Sequence, residues 1–453
     1  MNLPNYFLAD IAAEAPLTPA MISEACQTLK RNRERYLVDR STSSLIRVIS
    51  DVAQSWLDPE YPFRQEALAH GPEKTGFPRE TLEAGLDAFF AQITPENLQK
   101  LLEQEFGHDQ RLDTFSSSEV EQQEDRAAMV RGHDLLVHIT GGCLPNSTLT
   151  SIIFGLFVRS AQFVKCASGT AFLPRLFAHS LYEADSKLGA CLEIAEWRGG
   201  SADLETALYE EADCLTATGS DETLAAIRQK LPLKVRFVGY GHKVSFGYVS
   251  HESLSGVTAR KMVAKAALDV IAWNQLGCLS PHVFYVEAGG SVTPELFAEL
   301  LARELEAQES KQPRGAVDTE ASAAIAYRRS FYEVRAASSE ETRLWQSEAS
   351  TAWTVIYEND PRFQLSCLNR FIYVKTVSNI EEVLRGADAV FGKVSTVGLA
   401  ATGVKAQQLA QRFARWGVTR ICPLGQMQDP PLTWRHDGRP ALGDLVMWTD
   451  WEM

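Results

Sequence analysis

No cysteine in this chain belongs to a Cys-x-x-Cys pair. The eight stand singly at positions 26, 143, 166, 191, 214, 278, 367 and 422. That spacing excludes a disulfide framework and reads as separate thiols in a reducing compartment, most of them packing residues. No apolar run is long enough to span a bilayer: LTSIIFGLFV (149–158) is half a span and is followed by Arg159. The opening MNLPNYFLADIAAEAP has neither a basic segment nor an apolar core and does not read as a signal peptide. The expected location is cytoplasmic. Basic residues are outnumbered, 44 against 58, for a net charge of −14. Phosphate contacts need a basic patch, so nucleic acid is excluded as a partner class.

Several catalytic signatures are also missing. There is no Gly-x-Ser-x-Gly elbow and no His-Glu-x-x-His. His133 and His138 are five apart, off any shared helix face, and no metal is expected. GYGH (239–242) lacks the third glycine of a dinucleotide fingerprint. GADAVFGKVS (386–395) has one residue too many for a phosphate loop, and Val394 where Ser or Thr belongs.

What is present is an ordinary soluble composition, 45% hydrophobic and 23% charged over 453 residues, enough for two or three domains. Residues 17–115 carry apolar positions three and four apart and predict helices, with Thr94-Pro95 as a start signal. The run 116–126 is polar and predicts an exposed connection. From residue 135 short β-rich segments alternate with helices: LLVHIT, AQFVK, ADCLTA and KVRFVG. This alternation predicts parallel β-α-β units and an α/β fold. A helix is predicted over 258–275, ending at Gly277-Cys278, and the strand HVFYVEA follows.

Three places carry possible chemistry. In TATGSDETLAAIRQKL (216–231) a strand ends at Gly219-Ser220 and a helix begins, which suits a phosphate and equally suits plain capping. In FVKCAS, Lys165 ends a strand three residues before Ser168; lysine there points at a ligand or at solvent. Cys278 follows a long helix and a glycine, where backbone amides can lower a thiol pKa; the other reading is a buried cysteine. His282, four residues on, is a second candidate for tuning that thiol, although Pro281 breaks any shared helix face.

The order Lys, Gly-Ser, Cys resembles the aldehyde dehydrogenase superfamily. Within it, GFPRETLEAGLDAFF, PRLFAHSLYEAD, GHKVSFGYVS, STAWTVIYENDPRF and above all CPLGQMQDPPLTWRHDGRP (422–440) resemble the LuxC-like acyl-CoA reductases over nearly the whole chain. The resemblance implies a Rossmann-type cofactor domain (121–257), an α/β catalytic domain (258–430), a helical N-terminal region (1–120) and a tail (431–453). It implies that Cys278 is the acyl-accepting nucleophile, that Lys165 lies near the adenosine ribose, and that Gly219 and Ser220 lie beside the pyrophosphate. Ser168 stands where NAD-preferring relatives often carry a glutamate, and loss of that charge favours NADPH. The superfamily's water-activating glutamate has no counterpart in FVGYGHKVSFG, as suits a thioester reductase. The family's Gly-Asn-Val-Pro-Gly is here Gly142-Cys143-Leu144-Pro145-Asn146. Cys143 is a weaker oxyanion donor than asparagine, and Asn146 is the substitute within reach.

The function implied is NADPH-dependent reduction of a long-chain acyl thioester, from acyl-CoA or an acyl carrier, to the aldehyde. The implied assembly is a homo-oligomer, with an acyl-protein synthetase as a possible partner. Two other classes fit the same residues: an acyl-transfer protein using Cys278 without reduction, and a non-catalytic scaffold for an acyl-activating partner.

Overall fold

The computed structural model describes residues 1, 3–11, 15–142 and 144–453. In chain order its strands are β1 (Arg126–Gly132), β2 (Leu135–Thr140), β3 (Ala161–Cys166), β4 (Leu192–Glu196), β5 (Cys214–Thr218), β6 (Arg236–Tyr240), β7 (Val244–Val249), β8 (Pro281–Glu287), β9 (Thr342–Gln346), β10 (Thr354–Glu358), β11 (Phe371–Val377), β12 (Val394–Ala400), β13 (Arg420–Pro423) and β14 (Val446–Glu452). The chain divides into two compact units, one of residues 1–75, 86–241 and 431–453, the other of residues 76–85 and 242–430.

The first unit begins with helices whose ends follow the sequence signals. Thr94 Oγ1 accepts from Asn97 N (3.3 Å), Pro95 opens the helix Pro95–Phe106, and Gly107 closes it with φ 72°. The polar connection after residue 116 holds a short helix, Glu119–Gln123, capped reciprocally by Ser118 and Glu121. Apolar side chains of the helix Pro19–Tyr36 (Ile22, Cys26, Leu29) share a core with Leu135, Val137, Phe163 and Leu215 of a parallel five-stranded sheet. That sheet has the order β4-β3-β2-β5-β6. β2 is first in the chain and central; the chain steps outward to β3 and β4, then returns to β5 on the other side. The direction of winding therefore reverses between β2 and β5, where open α/β sheets hold ligands at their carboxyl ends. β1 and β14 form a separate antiparallel pair in the same unit.

The segment Leu8–Asp10 covers Glu193 on β4. One carboxylate oxygen, Oε1, accepts from Leu8 N (2.6 Å) and Ile194 N (3.0 Å). Burial pushes this carboxyl from 4.5 up to about 8. The folded chain thus binds this proton more tightly than the unfolded chain, and the associated stability is lost as pH rises from about 4.5 to about 8. Glu193→Gln keeps an acceptor for both amides and removes the charge. Urea denaturation should find the variant close to wild type at pH 4.5 and more stable by roughly 2–4 kcal/mol at pH 9. A difference independent of pH would contradict this account of Glu193.

The second unit is built on a seven-stranded sheet, β13-β12-β7-β8-β11-β10-β9, parallel except for β9. Its central strands read as continuous apolar runs because both faces are covered. Phe284, Val286, Ile372 and Val374 face one core, with the helices Gly256–Ile271 and Pro294–Glu309. Val283, Tyr285, Phe371 and Tyr373 face the other, with Ile325, Tyr332 and Phe413. Among the described residues no helix is long and apolar enough to cross a membrane.

Candidate active site

The helix predicted over 258–275 ends early, at Ile271. The next three non-glycine residues after Ala272 adopt left-handed backbone: Trp273 (φ 51°), Asn274 (φ 51°) and Gln275 (φ 64°). Each such residue costs about 1 kcal/mol or more, so the run persists only where partners over-determine it. Those partners are distant in sequence. Trp273 packs edge-on to Phe77 (5.2 Å) and against Gly85, where a Cβ would lie 2.0 Å from the indole. Asn274 Nδ2 donates to Arg314 O (2.8 Å), and its Oδ1 accepts from Arg370 Nε (3.2 Å). Gln275 Nε2 donates to Pro281 O (2.6 Å) and Phe371 O (2.9 Å). A second left-handed run, Leu368-Asn369-Arg370, supplies this same network.

The turn that follows is pinned around Cys278. Ser280 N donates to Gly277 O (2.9 Å). Ser245 Oγ donates to the carbonyl of Cys278 (2.8 Å) and accepts from Thr396 N (3.2 Å). Gln428 Nε2 donates to Ser280 Oγ. The turn delivers Cys278 at the amino end of β8, and Cys278 is exposed. Cys26, Cys166, Cys191, Cys214 and Cys422 are buried. Burial pushes the first four thiols up to about 12, and Cys422 to about 11. A thiol held there is protonated and inert at neutral pH.

His282 accepts from Ser366 N at its Nδ1 (3.1 Å), with Ser366 Oγ at 3.0 Å from the same atom. Burial lowers its pKa to about 4. The ring is neutral at physiological pH with its proton on Nε2, so it does not stabilise a thiolate by charge.

The other sequence-derived residues lie in the first unit, at the carboxyl edge of its five-stranded sheet. Ile139 pairs with Lys165 on one side and Ala217 on the other, which sets the ends of β2, β3 and β5 side by side. Gly141 follows β2, and its N donates to Thr218 Oγ1 (3.1 Å). A Cβ on Gly141 would meet Thr218 O at 2.6 Å, so only glycine fits. Lys165 is 5% exposed. Its ammonium stands over the Trp197 ring (5.6 Å) and has no hydrogen-bond acceptor among the described residues. Burial lowers its pKa, against which Glu205 and Glu196 act. Ser168 lies exposed in the turn after β3. Glu196, at the end of β4, accepts from Gly169 N (2.8 Å) and Ala171 N (3.1 Å) beside that turn. Gly219 precedes Ser220, whose Oγ caps the helix Asp221–Lys230 by accepting from Thr223 N (3.2 Å). Asn146 stands in the first turn of the helix Pro145–Phe157, with Oδ1 buried and unpartnered among the described residues. Cys143 lies outside the described residues.

Sequence reasoning missed Ser245, Gln275, Ser280 and Ser366 around the thiol, and Glu196 beside the Ser168 turn. Gln428 had a signal, since it falls within CPLGQMQDPPLTW, although that segment gave no hint of its contact.

The solved structures that superimpose on the chain share the aldehyde dehydrogenase-like fold. Bifunctional proline utilization A superimposes with a TM-score of 0.72 at 15% identity, over 96% of this chain and 45% of its own. Glyceraldehyde-3-phosphate dehydrogenase GapN from Methanocaldococcus jannaschii, solved with NADP, gives 0.69 at 12% identity, over 100% and 99%. Among curated proteins, the long-chain acyl-protein thioester reductase of Aliivibrio fischeri is 23% identical over 430 residues, 92% of this chain and 83% of its own. The model of the acyl-CoA reductase (LuxC) family matches residues 37–448, and the chain belongs to that family.

Proposed function

We propose that this protein reduces a long-chain acyl thioester to the aldehyde through an acyl-cysteine on Cys278. The observation that carries the reading is the exposed Cys278 thiol on a turn fixed by Gln275, Ser245 and Ser280, while five other cysteines are buried and inert. The name of the Aliivibrio fischeri relative supports the substrate class.

In the first step the Cys278 sulfur forms a bond to the thioester carbonyl carbon, and the original C–S bond breaks. The leaving thiol, of CoA or of a carrier, takes the proton. One thioester replaces another, so the step is close to balanced and reversible. The chemistry that a bound reduced nicotinamide supplies is hydride donation to the acyl carbon, with one proton from solvent completing the aldehyde and restoring Cys278. The first unit fits that group. Gly141 lets β2 end close against the Thr218 carbonyl at the winding reversal, Gly219 and Ser220 start a helix beside it, and the Lys165 ammonium has no hydrogen-bond acceptor among the described residues. Backbone amides of the Cys278 turn are assigned to the oxyanion.

NADPH is the expected donor because Ser168 brings no charge of its own to the turn. Stopped-flow reduction of the acyl-enzyme at equal NADPH and NADH should favour NADPH; equal rates would remove the argument from Ser168. Aldehyde formation from a panel of acyl-CoAs with NADPH tests the activity itself. A stable acyl-enzyme without aldehyde would mark an acyl-transfer protein, and no acylation at all would mark a scaffold. A cytoplasmic location and an acyl-protein synthetase partner belong to the same reading. So does a homo-oligomer: β14 exposes Trp448 and Trp451 on a strand paired on one side only.

A further inference from the structure

The segment CPLGQMQDPP begins at the end of β13 and reaches the Cys278 turn through Gln428. Its backbone is gripped from two sides in the second unit. Asp269, 2% exposed on the helix that leads to the Cys278 turn, accepts from Gly425 N (2.6 Å) and Met427 N (2.9 Å). Arg420 donates from its two terminal nitrogens to Met427 O (2.6 Å) and Gln426 O (2.8 Å). Gly425 has φ 88°, and a Cβ there would come within 2.9 Å of Lys265 Cβ on the same helix. Met427 is buried under Gly398, where a Cβ would lie 2.6 Å from its sulfur.

A carboxylate and a guanidinium are expensive to bury, and a loop that merely closes a strand needs neither. What this loop presents is the Gln428 carboxamide, which donates to Ser280 Oγ. Ser280 is 1% exposed, and its backbone N closes the turn onto Gly277 O (2.9 Å). The contact therefore acts two residues from Cys278, next to Pro281, whose carbonyl the Gln275 anchor holds. The helix Gly256–Ile271 holds the loop, the loop holds Ser280, and Ser280 shapes the turn that the helix feeds.

We infer that Gln428 is a positioning residue for Cys278, fixing through Ser280 the geometry in which the thiol meets an acyl carbonyl. This rests on the acyl-cysteine reading for its chemical consequence, although the placement of the thiol can be measured without it. A misplacement of about 1 Å in a reacting group costs on the order of 10²-fold in rate.

Gln428→Met keeps the length and loses the donor. Gln428→Glu offers an acceptor to the Ser280 hydroxyl, so the bond re-forms with the donor reversed. Acyl-enzyme formation from palmitoyl-CoA is measured by rapid quench on variants whose circular dichroism and Tm match wild type. Gln428→Met should lower the maximal acylation rate by about 10–100-fold with KM changed less than about threefold. Gln428→Glu should recover most of the rate. Ser280→Ala should reproduce the Gln428→Met loss, and the double variant should be no worse than either single one. A folded Gln428→Met or Ser280→Ala with a wild-type acylation rate overturns the inference. If wild type itself is never acylated, the functional reading has failed. The inference is then decided by iodoacetamide alkylation of Cys278, followed by peptide mass spectrometry. That rate should fall about tenfold in Gln428→Met and return in Gln428→Glu; an unchanged rate overturns it.

Discussion

Cys278→Ala is expected to abolish both acyl-enzyme and aldehyde, with product formation reduced at least about 10³-fold and at the limit of detection. The loss should be this complete because no other described thiol can take over. Cys26, Cys166, Cys191, Cys214 and Cys422 are buried and held at pKa values of about 11 to 12. Cys367 is partly covered, and burial raises its pKa as well. Cys278→Ser should fare little better, since a hydroxyl lacks the ionised fraction that makes a thiol reactive at neutral pH. The Tm should stay within a few degrees of wild type, because an exposed side chain contributes little to packing. A Cys278→Ala protein that kept a tenth of the activity would remove the nucleophile from the account.

The largest effect on stability is expected at Lys375. It is fully buried on β11, and its ammonium donates to Glu358 Oε2 (3.0 Å) and Asp360 O (2.9 Å). Glu358, 1% exposed on the neighbouring β10, also accepts from Tyr332 Oη (3.2 Å) and pairs with Arg335 (3.3 Å). Burial lowers the lysine pKa, and Glu358 opposes that shift. Lys375→Met takes from the core carboxylate its one fully buried counter-charge among the described residues, leaving Tyr332 and the partly exposed Arg335, and should cost about 3 kcal/mol. Lys375→Met combined with Glu358→Leu removes the buried carboxylate as well and should recover most of the loss, leaving Arg335 to solvent. Denaturant midpoints at pH 7 for the two variants check this. A double variant as unstable as the single one would mean that packing around Lys375, not its charge, is what the site supplies.

Much of the scaffold was legible because it is local. The runs at 135–140 and 161–165 match β2 and β3 within a residue, since buried parallel strands read as continuous apolar segments. Thr94-Pro95 announced its helix because the cap and the fixed proline φ act within one turn. The helix to Cys278 was misread beyond Ile271 because Trp273, Asn274 and Gln275 carry no local signal for left-handed backbone. What holds them there lies elsewhere: Arg314 is 40 residues away, and Arg370 and Phe371 are each 96 away. The same separation hid Gln428 from Ser280, 148 residues apart. Lys165 and Gly219 were found as strand-end signals, but only the strand order shows that they flank the winding reversal of one sheet. Ser168 alone does not set the charge of its turn for a related reason: the Glu196 carboxylate bonded to Gly169 N arrives from the adjacent strand and not from the turn itself.

The central claim is that an acyl group passes through Cys278. The direct measurement is intact-protein and peptide mass spectrometry of the wild-type protein incubated with palmitoyl-CoA in the absence of nicotinamide. The predicted result is a single palmitoyl adduct on the peptide containing Cys278, discharged as hexadecanal on addition of NADPH and as the hydroxamate on addition of hydroxylamine. An adduct on any other residue, or aldehyde formation with Cys278 unmodified throughout, would contradict it.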